Sequence, residues 1–203
     1  VRPPEDRASV EILRGPNIQP FPDFDALEDT LEETVLLKVP DNITTDHIMP
    51  AGAEILPLRS NIPAISEHVY RRHYPQFLER IKEKGSGIIV GGENYGQGSS
   101  REHAAIAPRY LGVRLKLVKS FARIHLANLF NFGIVPLVFA DPGDYDAIDE
   151  GAVLRFPDLR RRIAEGAEAI PFECDGKECK AILKATKRER ECLVAGGLIN
   201  TMK

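Results

Sequence analysis

Two hydroxyls and an arginine, Ser99-Ser100-Arg101, close a run that reads Gly91-Gly92-Glu93-Asn94-Tyr95-Gly96-Gln97-Gly98. Glycine has no Cβ, so a loop this rich in it lets backbone approach a ligand closely. The segment that follows, Glu102 to Leu111, reads as a helix, and the apolar run Gly87-Ile88-Ile89-Val90 before it reads as a short buried strand. A loop that delivers hydroxyls and a guanidinium to a helix start offers unpaired N–H groups and the positive end of a dipole. Such an arrangement suits a carboxylate or a phosphate. A plainer reading makes Ser99 the N-cap of the helix. Capping alone, however, calls for neither four glycines nor a second hydroxyl followed by arginine.

Two familiar phosphate loops do not fit. The dinucleotide fingerprint wants Gly-x-Gly-x-x-Gly with an acidic residue about 20 positions on, and the spacing here differs. A P-loop ends in Gly-Lys-Ser/Thr, whereas this loop ends in Gly98-Ser99-Ser100-Arg101 without lysine.

The elements that must hold this loop alternate. Strands are expected at 35–39, 87–91, 114–118 and 134–139, and helices at 102–111 and 122–132, with Gly133 as the natural residue just past a helix end. Residues 65–84 carry a helical period that Pro75 must break or kink. Such alternation argues for a parallel α/β core. After Glu150 the pattern changes to short strands near 152–156, 169–173 and 181–185, with a turn at Asp175-Gly176 and a last helix from about Arg190.

A chain of 203 residues is long enough to bury a core as one domain. Val1 to Asp29 holds Pro3-Pro4, Pro16, Pro20 and Pro22 among few apolar residues, which reads as a linker. We therefore divide the chain into a linker over 1–34 and a domain over 35–203. The first residue is valine, which suggests a piece of a longer polypeptide or a processed small subunit. A formal charge of −3 and the lack of a dense basic stripe argue against nucleic acid as the main partner. Arg160-Arg161-Arg162 and Lys187-Arg188-Glu189-Arg190 read as solvated surface. No apolar run has the length of a membrane span and no signal sequence opens the chain, so a soluble cytoplasmic protein is expected. Cys174, Cys179 and Cys192 are too few and too poorly spaced for a metal or cluster site; structural thiols, or a labile hairpin disulfide between the first two, are the alternatives.

Five motifs in consistent order closely resemble the aconitase family. They are Thr44-Thr45-Asp46-His47-Ile48, the run from Gly91 to His103, Lys119-Ser120-Phe121-Ala122-Arg123-Ile124-His125, Phe139-Ala140-Asp141-Pro142-Gly143-Asp144-Tyr145, and Ala195-Gly196-Gly197-Leu198-Ile199-Asn200. The resemblance runs from about Val35 to Lys203 and points to the C-terminal swivelling domain, a three-layer β/β/α fold. It implies a hydro-lyase that interconverts citrate and isocitrate through cis-aconitate. Matched residue by residue, Ser99 falls on the general base, Ser100 and Arg101 on substrate contacts, and Asp46 on an active-site carboxylate that orients its neighbours. Arg59 falls near a second carboxylate-binding arginine, although the interval from Asp46 is one residue longer than in the pattern compared; the alternative is a surface arginine. For Asp46 the alternative is a capping aspartate. A serine becomes a base only as an alkoxide, which a helix N-terminus, backbone N–H groups and an adjacent cation would favour.

The resemblance also implies a [4Fe-4S] cluster ligated by domains absent from this chain, leaving no metal or cofactor ligand here. The partners it implies are those iron–sulfur domains, in the same polypeptide or in a large subunit, and a tricarboxylate substrate. The isolated domain would then be inactive. His47 and His103 would be structural neighbours of the site, and His125 would hold the loop. Rival readings are the small subunit of isopropylmalate isomerase or homoaconitase, and a non-catalytic RNA-binding or interaction module.

Overall fold

Strands covered on both faces need apolar residues at nearly every position, and four such runs build the centre of the molecule. In the computed structural model, Leu31–Val39 (β1), Gly87–Gly91 (β2), Val113–Val118 (β3) and Val135–Phe139 (β4) lie parallel and adjacent in that order. The structure describes residues 6, 8, 10, 11 and 13–203; the Val1 and Pro3-Pro4 portion of the expected linker lies outside the described residues. Parallel neighbours need long crossovers. Thr45–Ile48 (α1), Ile62–Ser66 (α2) and Gln76–Lys84 (α3) lie between β1 and β2, His103–Leu111 (α4) between β2 and β3, and Arg123–Asn131 (α5) between β3 and β4.

The remainder is antiparallel. Asp144–Ala147 (α6) precedes Val153–Phe156 (β5), and Leu159–Ala164 (α7) precedes the hairpin of Ala169–Cys174 (β6) and Lys177–Ile182 (β7); Lys187–Ala195 (α8) follows. β7 pairs with β4, and β5 pairs with the first half of β1, from Leu31 opposite Phe156 to Thr34 opposite Val153. The sheet thereby closes on itself.

Alternation along the parallel strands feeds two cores. Ile88, Val90, Leu115, Leu117, Val135 and Leu137 point into the closed sheet and meet Phe156 and Phe172, whose rings stack with centroids 5.2 Å apart. Ile89 and Val118 point the other way, toward Phe77 and Ile81 of α3 and Ala104 and Ala105 of α4. Antiparallel strands, parallel strands and helices thus form the expected β/β/α layers.

Several expectations need correction. The folded unit takes in residues before Val35: β1 starts at Leu31, Leu27 is buried, and the Asp25 carbonyl accepts a 2.9 Å bond from the buried Arg109. Pro75 does not kink a long helix but stands immediately before α3, which a stretch of turns separates from α2. The last strand begins at Lys177 instead of Ala181, because Asp175 (φ 49°) and Gly176 (φ 77°) make a two-residue hairpin turn that pairs Cys174 directly with Lys177. α7 was not expected. α8 starts before Arg190, where a reciprocal Thr186–Glu189 capping box sets its first turn.

Arg190 is not solvated surface. It is buried, and its guanidinium donates to the carbonyls of Ala167 (2.8 Å), Ala185 (3.1 Å), Leu183 (3.3 Å) and Ile163 (3.4 Å). One side chain thus ties α8 to α7 and to the exit of β7. Arg190→Met removes the donor from the Ala167, Ala185 and Leu183 carbonyls, while Ile163 keeps the Gly166 amide, and we expect a loss of about 3 kcal/mol. That corresponds to about 6–12 °C in Tm for a chain of this size. Thermal unfolding beside Arg161→Met, which changes an exposed arginine, checks it; equal Tm for the two variants refutes the assignment.

Candidate functional site

The glycine-rich loop leaves β2 at Gly91 and is stitched to the loops that leave both neighbouring strands. The Ile43 carbonyl accepts from the Gly96 amide (2.7 Å) and the Gln97 amide (3.2 Å), and the Thr45 amide donates to the Gln97 carbonyl (2.8 Å). On the other side, the Tyr95 amide donates to the Ser120 carbonyl and the Ala122 amide to the Tyr95 carbonyl, both at 2.9 Å. Three adjacent strand exits therefore converge at the carboxyl end of the parallel sheet, where open α/β folds place their ligands.

Two loop glycines have left-handed backbone, Gly96 (φ 84°) and Gly98 (φ 103°). Their surroundings differ. A Cβ on Gly96 would stand 2.3 Å from the ring carbons of buried His125, whereas one on Gly98 would meet only the Thr45 hydroxyl, at 3.4 Å. That hydroxyl is buried and has no hydrogen-bond partner among the described residues.

Asp46 enters the site on the one-turn helix α1. Thr44 caps that turn: its hydroxyl accepts from the His47 amide, and the His47 Nδ1 accepts from the Thr44 amide, each at 3.1 Å. The capping residue is Thr44, which frees the Asp46 carboxylate to accept from Arg101 Nη1 at 2.5 Å. The same nitrogen donates to the Met49 carbonyl at 3.2 Å. The hydrogen bond from Arg101 holds the Asp46 carboxyl below its ordinary range, with the Arg101 charge and an Ala51 backbone bond assisting and partial burial opposing. His47 is pushed down by burial and then by the neighbouring His73, whose ring lies edge-on at 4.5 Å.

Arg101 and Arg59 both line a cavity of about 220 Å³, together with Met49, Pro50, Glu102 and His103. His103 Nε2 meets the Arg59 carbonyl at 2.9 Å, which links the start of α4 to the segment carrying Arg59. The structure therefore brings Asp46, Arg101 and Arg59 to one place. Ser99 and Ser100 stand exposed next to Arg101, outside the cavity lining.

Neither serine caps the helix. α4 begins at His103 with Glu102 at its N-cap position and no side-chain capping bond, so Arg101 and Glu102 separate the serines from the helix start. The expected placement of Ser99 at the helix N-terminus is corrected accordingly: a tight turn, with the Arg101 amide on the Ser99 carbonyl at 2.9 Å, lies between.

Beneath the loop lie residues that motif reading passed over. Lys116 in the middle of β3 is fully buried, with Nζ 3.3 Å from His125 Nε2 and 4.9 Å from the Tyr95 ring centroid. The hydroxyls of Tyr95 and Tyr70, both buried, meet each other. The available signal was one lysine inside the otherwise apolar Leu115–Val118 stretch of a both-faces-covered strand. Cys174 and Cys192 are buried, Cys179 is half-buried, and all three are free thiols. Among the described residues, no group of three or more His, Cys, Asp or Glu is placed to hold a metal ion. No helix among them is long and apolar enough to cross a membrane.

Comparison with known proteins agrees with this architecture. A family model described as the aconitase C-terminal domain matches residues 61–142. The mitochondrial aconitate hydratase of Candida albicans is 38% identical over 175 residues, which span 72% of this chain and 22% of that protein. The mitochondrial aconitate hydratase of Saccharomyces cerevisiae is 36% identical over 239 residues, spanning 99% of this chain and 30% of that protein. The homocitrate dehydratase of the same yeast is 36% identical over 80% of this chain and 24% of its own length. Among solved structures, a 3-isopropylmalate dehydratase from Methanocaldococcus jannaschii superposes with a TM-score of 0.68 at 32% identity, covering 85% of this chain and 93% of that one. The chain thus spans less than a third of the curated relatives named here and nearly all of the archaeal chain. These curated relatives are named as mitochondrial, so they lend no support to the expected cytoplasmic location.

Two outcomes follow from the geometry. Gly96→Ala should lower Tm by several degrees, since ring and backbone must both give way, while Gly98→Ala carries only backbone strain of about 1 kcal/mol. Thermal unfolding of both variants decides it, and a Gly98→Ala loss as large as that of Gly96→Ala contradicts it. Because the Asp46 pKa is lowered in the folded state, its pairing contributes above the ordinary aspartate pKa and is lost as pH falls through the depressed value. Carboxyl carbon shifts of Asp46 should therefore titrate below the usual range and return to it in Arg101→Met.

Proposed function

The chain belongs to the aconitase C-terminal domain family, and we propose from this that it supplies the proton-accepting and carboxylate-gripping half of a hydro-lyase acting on a tricarboxylate of the citrate type. The observation that carries the reading is the pair of guanidiniums, Arg101 and Arg59, at one cavity, the first oriented by Asp46. Only Nη1 of Arg101 is engaged; its other N–H groups have no acceptor among the described residues and can meet a carboxylate side-on. Arg59 would meet a second carboxylate.

Ser99 is the proposed base. The carbon acid lies next to a carboxylate, so removing its proton builds negative charge that Arg101 stabilises as it forms. The same cation favours the ionised form of the neighbouring hydroxyl. Ser100 completes the contacts to the substrate. Asp46 fixes the guanidinium plane, so the clamp is set before the substrate arrives.

The family resemblance implies a [4Fe-4S] cluster as the Lewis acid for the departing hydroxyl. The described residues of this chain do not form a ligand set for it, so the reading places the cluster on other domains of a longer polypeptide, or on a large subunit. A second reading, a separate small subunit for an isopropylmalate-type substrate, draws on the near-complete coverage of the archaeal dehydratase chain. The second guanidinium favours the tricarboxylate.

Turnover of citrate, homocitrate and isopropylmalate by the native full-length protein, with its cluster loaded, discriminates the two. In that protein Ser99→Ala should lower kcat by about 10²–10⁴ with little change in KM. Arg101→Lys should impair both, because an ammonium cannot replace a planar fork. Near-normal turnover by Ser99→Ala sinks the assignment of the base.

A further inference from the structure

Lys116 is a fully buried amine with no carboxylate against it among the described residues. Its partners across the sheet are Ile89 on β2 and Pro136 on β4. The titratable groups facing it are His125 from α5 and Tyr95 from the glycine-rich loop, with Tyr70 and Tyr74 behind Tyr95. His125 is also buried, and its Nδ1 has no partner among the described residues. The ring lies between two things: Nε2 is 3.3 Å from Lys116 Nζ, and the adjacent Cδ2 packs against Gly96, three residues before Ser99.

Resting on the hydro-lyase reading above, we propose that Lys116 and His125 are the positioning pair of the glycine-rich loop, Lys116 selecting the tautomer of the imidazole on which Gly96 rests. An ammonium has only donors, so a charged Lys116 must use Nε2 as acceptor and forces the ring proton onto Nδ1. A buried Nδ1–H without an acceptor is a costly arrangement. A neutral amine has a lone pair; Nε2–H can donate to it, leaving only a bare lone pair on Nδ1. The unpartnered Nδ1 therefore favours the neutral amine with the Nε2–H tautomer.

Burial alone pulls the Lys116 amine down to about 7. His125 is held well below its ordinary value, by burial first and Lys116 second, so it stays neutral throughout. The unfolded chain holds a proton on Lys116 between about pH 7 and the ordinary lysine value, which the folded chain lacks. Stability therefore rises with pH across that window. As pH falls through about 7, the ring proton moves to Nδ1 and the seat of Gly96 changes with it. Lys116 and His125 touch no substrate in this scheme; they set where the loop holds Ser99 and Arg101.

The test uses the native full-length protein with ¹⁵N-labelled histidine. The ¹⁵N shifts of His125 report its tautomer whatever the enzyme does, and they should exchange from Nε2–H to Nδ1–H as pH falls from 8 to 6, about one unit either side of the Lys116 value. An unchanged tautomer over that range overturns the proposal. For citrate turnover, Lys116→Met should not lower Tm, yet should lower kcat about tenfold with KM within about twofold, and should flatten the acid arm of the pH profile near 7. Lys116→Gln, whose amide oxygen accepts from Nε2–H without titrating, should recover kcat to within about threefold on a flat profile. A folded Lys116→Met enzyme with unchanged kcat and an intact acid arm overturns the proposal. If the unmodified protein turns over none of the substrates, the functional reading fails, and the ¹⁵N result still decides the pairing.

Discussion

One carbonyl organises the site. The Ile43 oxygen takes the amides of both Gly96 and Gln97, and the Gln97 carbonyl in turn accepts from the Thr45 amide. Backbone bonds thus join the loop after β1 to the loop after β2, and the Asp41 carboxylate, accepting from the Glu93 amide at 2.7 Å, and the Asn42–Asn94 side-chain bond reinforce them. Asp46 comes from the first and Arg101 from the second, so their meeting is a consequence of that stitching. The glycines matter because no side chain may stand between Gly96 and the His125 ring below it. Every other feature of the site hangs from a loop pinned above by Ile43 and supported beneath by an imidazole.

The Asp46–Arg101 pair is more an orienting device than a source of stability. Their side chains are 59% and 25% exposed, a setting in which ion pairs add little to folding. What the pair does is remove rotamer freedom from a long side chain at the mouth of a cavity. Stability comes from elsewhere, from the two apolar cores and from satisfied buried cations such as Arg190. The molecule therefore separates the residues that hold the fold from those that would hold a ligand. Lys116 is the exception, a buried amine whose contacts lead toward the loop.

The parallel half of the fold was legible because continuous apolar runs and intervening helical periods leave few alternatives. The loop was legible because glycines, hydroxyls and arginine in that order have little structural reason to coincide. Other parts were hidden for physical reasons. β7 carries Lys177, Glu178 and Lys180 on its exposed stretch, so no apolar alternation marks its start, although Asp175-Gly176 did mark the turn. Arg190 sits in a charged run yet turns inward to four carbonyls that only the folded chain brings together. α4 begins within one residue of its expected start, but the pairing of Arg101 just before it with Asp46 and Met49, 55 and 52 residues earlier, was not marked by any local pattern. Residue spacing alone could not show which of the site's groups share a cavity.

Closure of the sheet imposes an order on assembly. The first half of β1 finds its antiparallel partner more than a hundred residues later, with Leu31 opposite Phe156 and Thr34 opposite Val153. The second half pairs with β2 much sooner, from Leu37 opposite Ile89 to Val39 opposite Gly91. On a ribosome that emits the chain from its N-terminus, β1 can dock its second half onto β2 while its first half still waits. Contacts of such separation are slow to form because the loop must close before they contribute. Until β5 emerges, a nascent chain presents Leu31 and Val35 on an open strand edge, the kind of edge that recruits foreign strands. The fold's seam is therefore also its period of greatest exposure to chaperones and to aggregation.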